Sequence, residues 1–252
     1  AVSNPFKNRE CHVMEIQIVA VGSSVQERVT GHWGLSFLVD RDVLFDTFAI
    51  PAVLQRNMQK LDIDPSRIRH IVISHNHWDH TSGLWDILLK NNRVTVYLCP
   101  SVEATLKERI QDFGAEVVEP ADFMKIKDRI YTTGEIMGKY GGQPMPEQAL
   151  VVTSRQGLVI ITGCAHPGIV PIVEKVRDHF NEKIYMVTGG FHLLDKDRDA
   201  IHAVIRKFKS LGIAKIGPTH CTGELAVQLM RDAYRGGFED IYERACIELP
   251  GP

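Results

Sequence analysis

Apolar residues run from Val13 to Val21, broken by Glu15 and Gln17, which is the pattern of a strand with one wetter face. Leu35 to Val39 and Val43 to Phe45 flank Arg41-Asp42 and read as a hairpin. Pro51 to Leu61 has helical spacing and starts with proline, which suits a first turn; Asp64-Pro65 repeats that start for a short turn. Ile71 to Ile73 is a buried strand by composition, Leu84 to Leu89 a helix, Val94 to Leu98 a strand, and Val102 to Phe113 a helix ending at Gly114.

The second half repeats the style. Leu150 to Thr153 and Leu158 to Thr162 are strands joined by a turn at 155–157. Ile169 to Phe180 is a helix, Ile184 to Val187 a strand, and Asp199 to Leu211 a helix stopped by Gly212. Ile213 to Ile216 is a strand, Glu224 to Tyr234 a helix, and Tyr242 to Leu249 a closing strand. Residues 121–148 are less regular, and Gly138 to Pro146 reads as a long loop, a kind of segment that usually serves function. The class is α/β with mixed sheets, in two halves of similar layout within one domain over 1–252.

Composition narrows this little. The 252 residues are 44% hydrophobic and 24% charged, with 29 Lys plus Arg against 31 Asp plus Glu, a net charge of −2. That excludes a disordered chain or a disulfide mini-protein, and it argues against nucleic-acid binding through bulk charge. No apolar run approaches the roughly 18 residues of a membrane span. The first residues lack the apolar core of a signal peptide. Five dispersed cysteines, Cys11, Cys99, Cys164, Cys221 and Cys246, include no C-x-x-C pair and would leave one unpaired, so a reducing, cytoplasmic setting is expected.

Chemistry concentrates in Ser74-His75-Asn76-His77-Trp78-Asp79-His80, directly after a buried strand. Three of the chain's 11 histidines fall within six residues there. Neutral imidazole offers a lone pair, and histidines at i and i+2 of an extended segment point the same way. Asp79 and His80, past the turn, reach a neighbouring site. Two ions so placed can acidify a shared water and clamp a substrate oxygen.

This H-x-H-x-D-H string resembles the motif of the metallo-β-lactamase superfamily. Val43-Leu44-Phe45-Asp46-Thr47 is similar to its early strand, Thr81-Ser82-Gly83-Leu84 to its next helix start, and Gly217-Pro218-Thr219-His220 to its closing histidine. Three further segments, Thr162 to Gly168, Gly189 to Leu193 and Thr219 to Gly223, resemble a subgroup labelled dihydropterin ribofuranosyl-aminobenzene 5′-phosphate synthase. The resemblance implies a four-layer αβ/βα sandwich with metals at one edge between two sheets. It implies His75, His77 and His166 on a first ion, and Asp79, His80 and His220 on a second. Cys164 stands where the resemblance implies a bridging aspartate, which leaves a thiolate bridge, a solvent bridge or none.

The implied activity is metal-dependent hydrolysis of an ester, phosphoester or lactone in a small molecule, with Asp79 as both ligand and proton acceptor. His192 is a candidate substrate-binding or acid/base residue, with a buried structural histidine as the rival reading. The expected cofactors are two divalent ions, zinc first, with iron or manganese as alternatives. The expected substrate is small, phosphorylated under the subgroup label, with neither nucleic acid nor membrane as partner. The rival functions are synthase chemistry on a phosphoribosyl substrate and non-catalytic binding of a small molecule. Trp78 and Trp33 are candidate wall residues, and Thr222 a candidate helix cap.

Overall fold

The computed structural model describes residues 13–23 and 31–250. Cys11 and the N-terminal segment read above lie outside the described residues. The first sheet has the order β15-β1-β2-β3-β4-β5-β6. Its strands are β1 (Met14–Gly22), β2 (Gly34–Val39), β3 (Val43–Phe45), β4 (His70–Val72), β5 (Thr95–Tyr97), β6 (Glu116–Val118) and β15 (Cys246–Leu249). The second sheet, β14-β13-β12-β11-β8-β7, contains β7 (Met124–Lys127), β8 (Ile130–Thr132), β11 (Leu150–Ser154), β12 (Gly157–Thr162), β13 (Ile184–Gly190) and β14 (Lys215–Thr219).

Three apolar clusters make four layers. Ile16, Phe37 and Phe45 of the first sheet meet Leu150, Ile161 and Met186 of the second between the sheets. Outside the first sheet pack α1 (Pro51–Lys60), α3 (Leu84–Lys90) and α4 (Ala104–Asp112), through residues such as Leu54, Met58, Leu84, Ile87 and Ile110, while the short α2 (Trp78–Thr81) lies against β2 and carries site residues. Outside the second pack α5 (Ile169–Phe180), α6 (Arg198–Ser210) and α7 (Glu224–Tyr234), with Val176, Phe208 and Met230 inward. In α5, Ile169, Ile172, Val173 and Val176 form one buried stripe, and Asn181 ends the helix at φ 51°. Burying each such side chain contributes about 1.5–3 kcal/mol before the ordering cost is subtracted.

Strand direction sets where the chemistry falls. β3, β4, β5 and β6 are mutually parallel, as are β12, β13 and β14. Segments leaving the C-terminal ends of parallel strands emerge at one edge of a sheet. Phe45 and Val72 thus deliver Asp46 and the 74–80 segment, while Thr162, Gly190 and Thr219 deliver Cys164, His166, His192, His220 and Cys221. β12 is buried at every residue, as a central strand with antiparallel β11 on one side and parallel β13 on the other must be.

The middle of the chain corrects the sequence reading. The expected loop at 138–146 is an antiparallel hairpin, β9 (Ile136–Tyr140) with β10 (Gln143–Glu147), in a two-stranded sheet of its own. Gly141 and Gly142 at its tip have φ of 55° and 81°, the two left-handed central residues that a tight hairpin turn requires. Pro144 and Pro146 hid the strand from pattern reading, yet a two-stranded ribbon is all edge and tolerates missing donors. β6, β7 and β8 also went unread, and the closing strand begins at Cys246, not Tyr242.

Candidate metal centre

Asp46 organises the first half of the centre. It sits at φ 56° just past β3, fully buried. Its Oδ1 accepts the Ser74 amide at 2.7 Å, and its Oδ2 accepts both the Ser74 hydroxyl at 2.7 Å and His80 Nδ1 at 2.7 Å. Because the Ser74 hydroxyl is spent on Asp46, its oxygen accepts from His75 Nδ1 at 2.8 Å. Both imidazoles thereby spend Nδ1 on these partners and turn Nε2 inward. A Cβ on Gly163 would collide with the Ser74 hydroxyl, so the β12 loop comes this close only as glycine.

Glu147 organises the second half. From the base of the hairpin it accepts the amides of Cys164 and Ala165 at 2.9 and 2.7 Å through Oε1. Its Oε2 accepts the His166 amide at 2.7 Å and His166 Nδ1 at 2.9 Å. Burial opposes its charge, but these donors hold the carboxyl below its usual range. His220 Nδ1 lies 2.9 Å from the Gly22 carbonyl and 3.2 Å from the Gly34 amide, which donates to it. His166 and His220 both turn Nε2 inward: that of His166 is buried and makes no hydrogen bond, and that of His220 faces Asp79.

The ligand atoms converge in two groups, each with its atoms within 4.8 Å of one another. The first is His75, His77 and His166. His75 Nε2 lies 3.0 Å from His77 Nδ1, and burial keeps both imidazoles neutral, His77 with its pKa down at about 4 and His75 well below the usual value. The second is Asp79, His80, Cys164 and His220. Asp79 Oδ2 is 3.2 Å from both His80 Nε2 and His220 Nε2, and Cys164 Sγ is 3.4 Å from His80 Nε2. Burial works against an ionised Asp79, yet the two imidazoles hold it far below the usual carboxylate range. Burial and the Cys221 thiol push Cys164 well up, and Asp46 and Asp79 raise His80 well up against its burial. Imidazole and thiolate donors with unpaired buried nitrogens are a donor set that fits zinc-like ions.

All seven residues named from sequence as ligands lie in these two groups. The strand after His166, β13, ends in Gly189-Gly190 and offers no side chain there; the sulfur of Cys164 comes from the β12 loop instead. His192 lies beside this assembly, 4.6 Å from the His166 ring, in a third group with Cys164 and Cys221. Thr222 does not cap α7: its hydroxyl donates to the Thr219 carbonyl and accepts the Phe191 amide. Asp46 and Glu147 were missed as orienting carboxylates. Asp46 could be found through its place in the Phe45-Asp46-Thr47 resemblance, whereas Glu147 carried no signal.

A cavity of about 430 Å³ opens over both groups. Trp33, Trp78, Tyr140 and Leu194 line it together with His77, Asp79, Cys164, His166 and His192. Trp78 is 60% exposed, so it serves the cavity rather than wedging the core. Tyr140, from the hairpin tip, stands 4.7 Å from the His77 ring and 5.4 Å from the His166 ring.

A four-layer sandwich with such a donor set at the edge between its sheets defines a metallo-β-lactamase fold. The sequence pattern of the metallo-beta-lactamase superfamily matches residues 34–220, and the chain belongs to that superfamily. It is 32% identical over 263 aligned positions to the 7,8-dihydropterin-6-methyl-4-(beta-D-ribofuranosyl)-aminobenzene-5′-phosphate synthase of Methanocaldococcus jannaschii, covering 86% of this chain and 90% of that one. A solved metal-dependent hydrolase of the beta-lactamase superfamily is 31% identical, with a TM-score of 0.76 over 94% of this chain and 99% of that one. A diphosphatase from the PhnP family shares the fold at 16% identity, with a TM-score of 0.66 over 95% of this chain and 98% of that one. No helix among the described residues is long and apolar enough to cross a membrane.

Proposed function

We propose that the chain is a metal-dependent hydrolase acting on an ester, phosphoester or lactone bond of a small molecule. The carrying observation is the pair of donor groups, four of whose imidazoles are held by Asp46, Ser74, Glu147 and Gly22 so that Nε2 faces inward. In this reading His75, His77 and His166 hold one divalent ion, and Asp79, His80, His220 and Cys164 a second, with zinc favoured over iron or manganese by the thiol. Ions bound there supply Lewis acidity and an acidified water. Asp79 Oδ1 is the acceptor available for that water's proton, since Oδ2 is taken up between His80 and His220. Trp33, Trp78 and Tyr140 wall the cavity and exclude solvent from a planar substrate. The likeness to the solved metal-dependent hydrolase supports the same reading.

A second reading follows from the synthase relative. The same centre would then join a pterin to a ribofuranosyl-aminobenzene phosphate. The test is turnover by the zinc-loaded protein of generic phosphodiesters, esters and lactones, alongside mass-spectrometric detection of the joined product from its two halves. Turnover lost in both His77→Ala and His220→Ala, with the fold intact by circular dichroism, supports the hydrolase. Joined product without hydrolysis selects the synthase. Ligand-induced stabilisation with neither activity leaves a binding protein.

A further inference from the structure

Three segments stood out in the sequence, and the structure stacks them side by side. They leave β12, β13 and β14, which are parallel neighbours in continuous register. Each carries one soft donor: Cys164, His192 and Cys221. The Sγ atoms and a ring nitrogen lie within 4.8 Å of one another. Two donors on one tetrahedral zinc are separated by roughly 3.3–3.8 Å, so small side-chain rotations close the set.

Independent observations point to a ligand here. His192 Nδ1 is buried and makes no hydrogen bond. Both thiols are buried, Cys164 at 4% and Cys221 at 5% exposure. The backbone is bent to bring them in: Ala165 and His192 sit at φ of 65° and 51°, a left-handed conformation that costs on the order of 1–2 kcal/mol for a residue with a Cβ. A Cβ on Gly190 would lie 2.7 Å from Cys221 Sγ, so the β13 end is glycine where the sulfur packs.

We infer that Cys164, His192 and Cys221 form a third metal site, taking a soft divalent ion such as zinc and sharing the Cys164 sulfur with the second group. The Cys164 sulfur is already a thiolate when the second ion is bound, so a third ion brings +2 against the loss of one proton, from the Cys221–His192 pair, to solvent. The site thus gains one positive charge beside the other two ions, and no electron is transferred. Three protein ligands leave a fourth position for water or a substrate donor, and Cys164 and His192 both line the cavity. His192 then acts through the ion, not as a free acid or base.

The test is anaerobic titration of the reduced, metal-free full chain with cobalt(II) and with zinc, followed by equilibrium dialysis and elemental analysis. The expected result is three equivalents for the wild type, two for Cys221→Ser and for His192→Ala, and weaker thiolate-to-cobalt charge-transfer absorption in Cys221→Ser. His77→Ala removes a different ion and leaves that absorption in place. Saturation of the wild type at two equivalents overturns the inference, as does a Cys221→Ser protein with undiminished uptake and spectrum. The hydrolase reading fails separately, if His77→Ala and His220→Ala leave turnover unchanged.

Discussion

One oxygen of Glu147 holds His166 twice. Oε2 accepts the residue's amide at 2.7 Å and its ring Nδ1 at 2.9 Å, so backbone and side chain are fixed by a single atom. Glu147→Gln removes one of the two acceptor oxygens and places an amide NH₂ against donors. Zinc affinity of the first group is expected to fall about 10–100-fold, the usual cost of losing a ligand's orienting partner. Competition with a chromophoric chelator measures it. Unchanged affinity would mean that packing alone orients His166.

Asp46 serves the 74–80 segment as Glu147 serves 164–166. Asp46→Asn keeps the volume, and asparagine tolerates the positive φ of 56° there. What changes is charge and acceptor count toward Ser74 and His80. Metal affinity is expected to fall about 10–100-fold, most at the group containing His80. Equal retention of both ions in elemental analysis would contradict the assigned relay.

The two groups should lose their ions at different pH. Protons compete with metal for each donor. His77 takes its proton only at about pH 4, and burial also holds His75 well below its usual value, so the first group keeps its ion down to mildly acidic solution. In the second group Cys164 and His80 bind protons more tightly than usual, so the metal must displace them even near neutrality. Metal content is therefore expected to drop stepwise as pH falls from 8 to 5, the second-group ion leaving first. Joint loss in one step would refute this order.

Stability of the metal-free protein carries the same sign. His77 is depressed from an ordinary value of 6.5 to about 4, chiefly by burial. Above pH 6.5 neither state holds the proton. Between about 6.5 and 4 the unfolded chain takes it and the folded chain does not, so folding weakens as pH falls through that window. A lower melting temperature at pH 5 than at pH 7 is expected, with a smaller drop in His77→Gln.

The cavity walls should govern binding more than chemistry. Trp78 and Tyr140 are 60% and 53% exposed and hold up no core. Trp78→Ala or Tyr140→Ala is expected to raise KM up to about tenfold, the equivalent of 1.4 kcal/mol of lost ring contact, with kcat nearly unchanged. Steady-state kinetics on whichever substrate the panel identifies decides it. A fall in kcat alone would place these rings in the chemical step.

Sequence carried the ligands further than their supports. Strand–histidine succession exposes His75, His77 and His80 because the signal is local, within six residues. α5 and α7 were readable to the residue because their apolar stripes and end signals are local too. Glu147 acts on residues 17 to 19 positions later in the chain, through an ionised contact that leaves no periodic trace. The hairpin carrying it was unreadable for a related reason: two prolines and three glycines in the nine residues from Gly138 to Pro146 outweigh alternation in any local reading. The Cys164–His192–Cys221 group needed the parallel β12–β13–β14 register, which is a tertiary fact.

The β9–β10 ribbon belongs to neither sheet, yet it touches the centre at both ends. Its tip brings Tyr140 over the imidazoles, and its base ends in Glu147. Residues 139–145 can therefore diverge, lengthen or be exchanged without disturbing either sandwich layer, which makes the tip the natural place for a change of substrate preference, whereas a Cβ on Gly138 would lie 2.6 Å from the His166 backbone. Position 147 has no such freedom. A single ribbon thus divides into a part open to drift and a part tied to the ions.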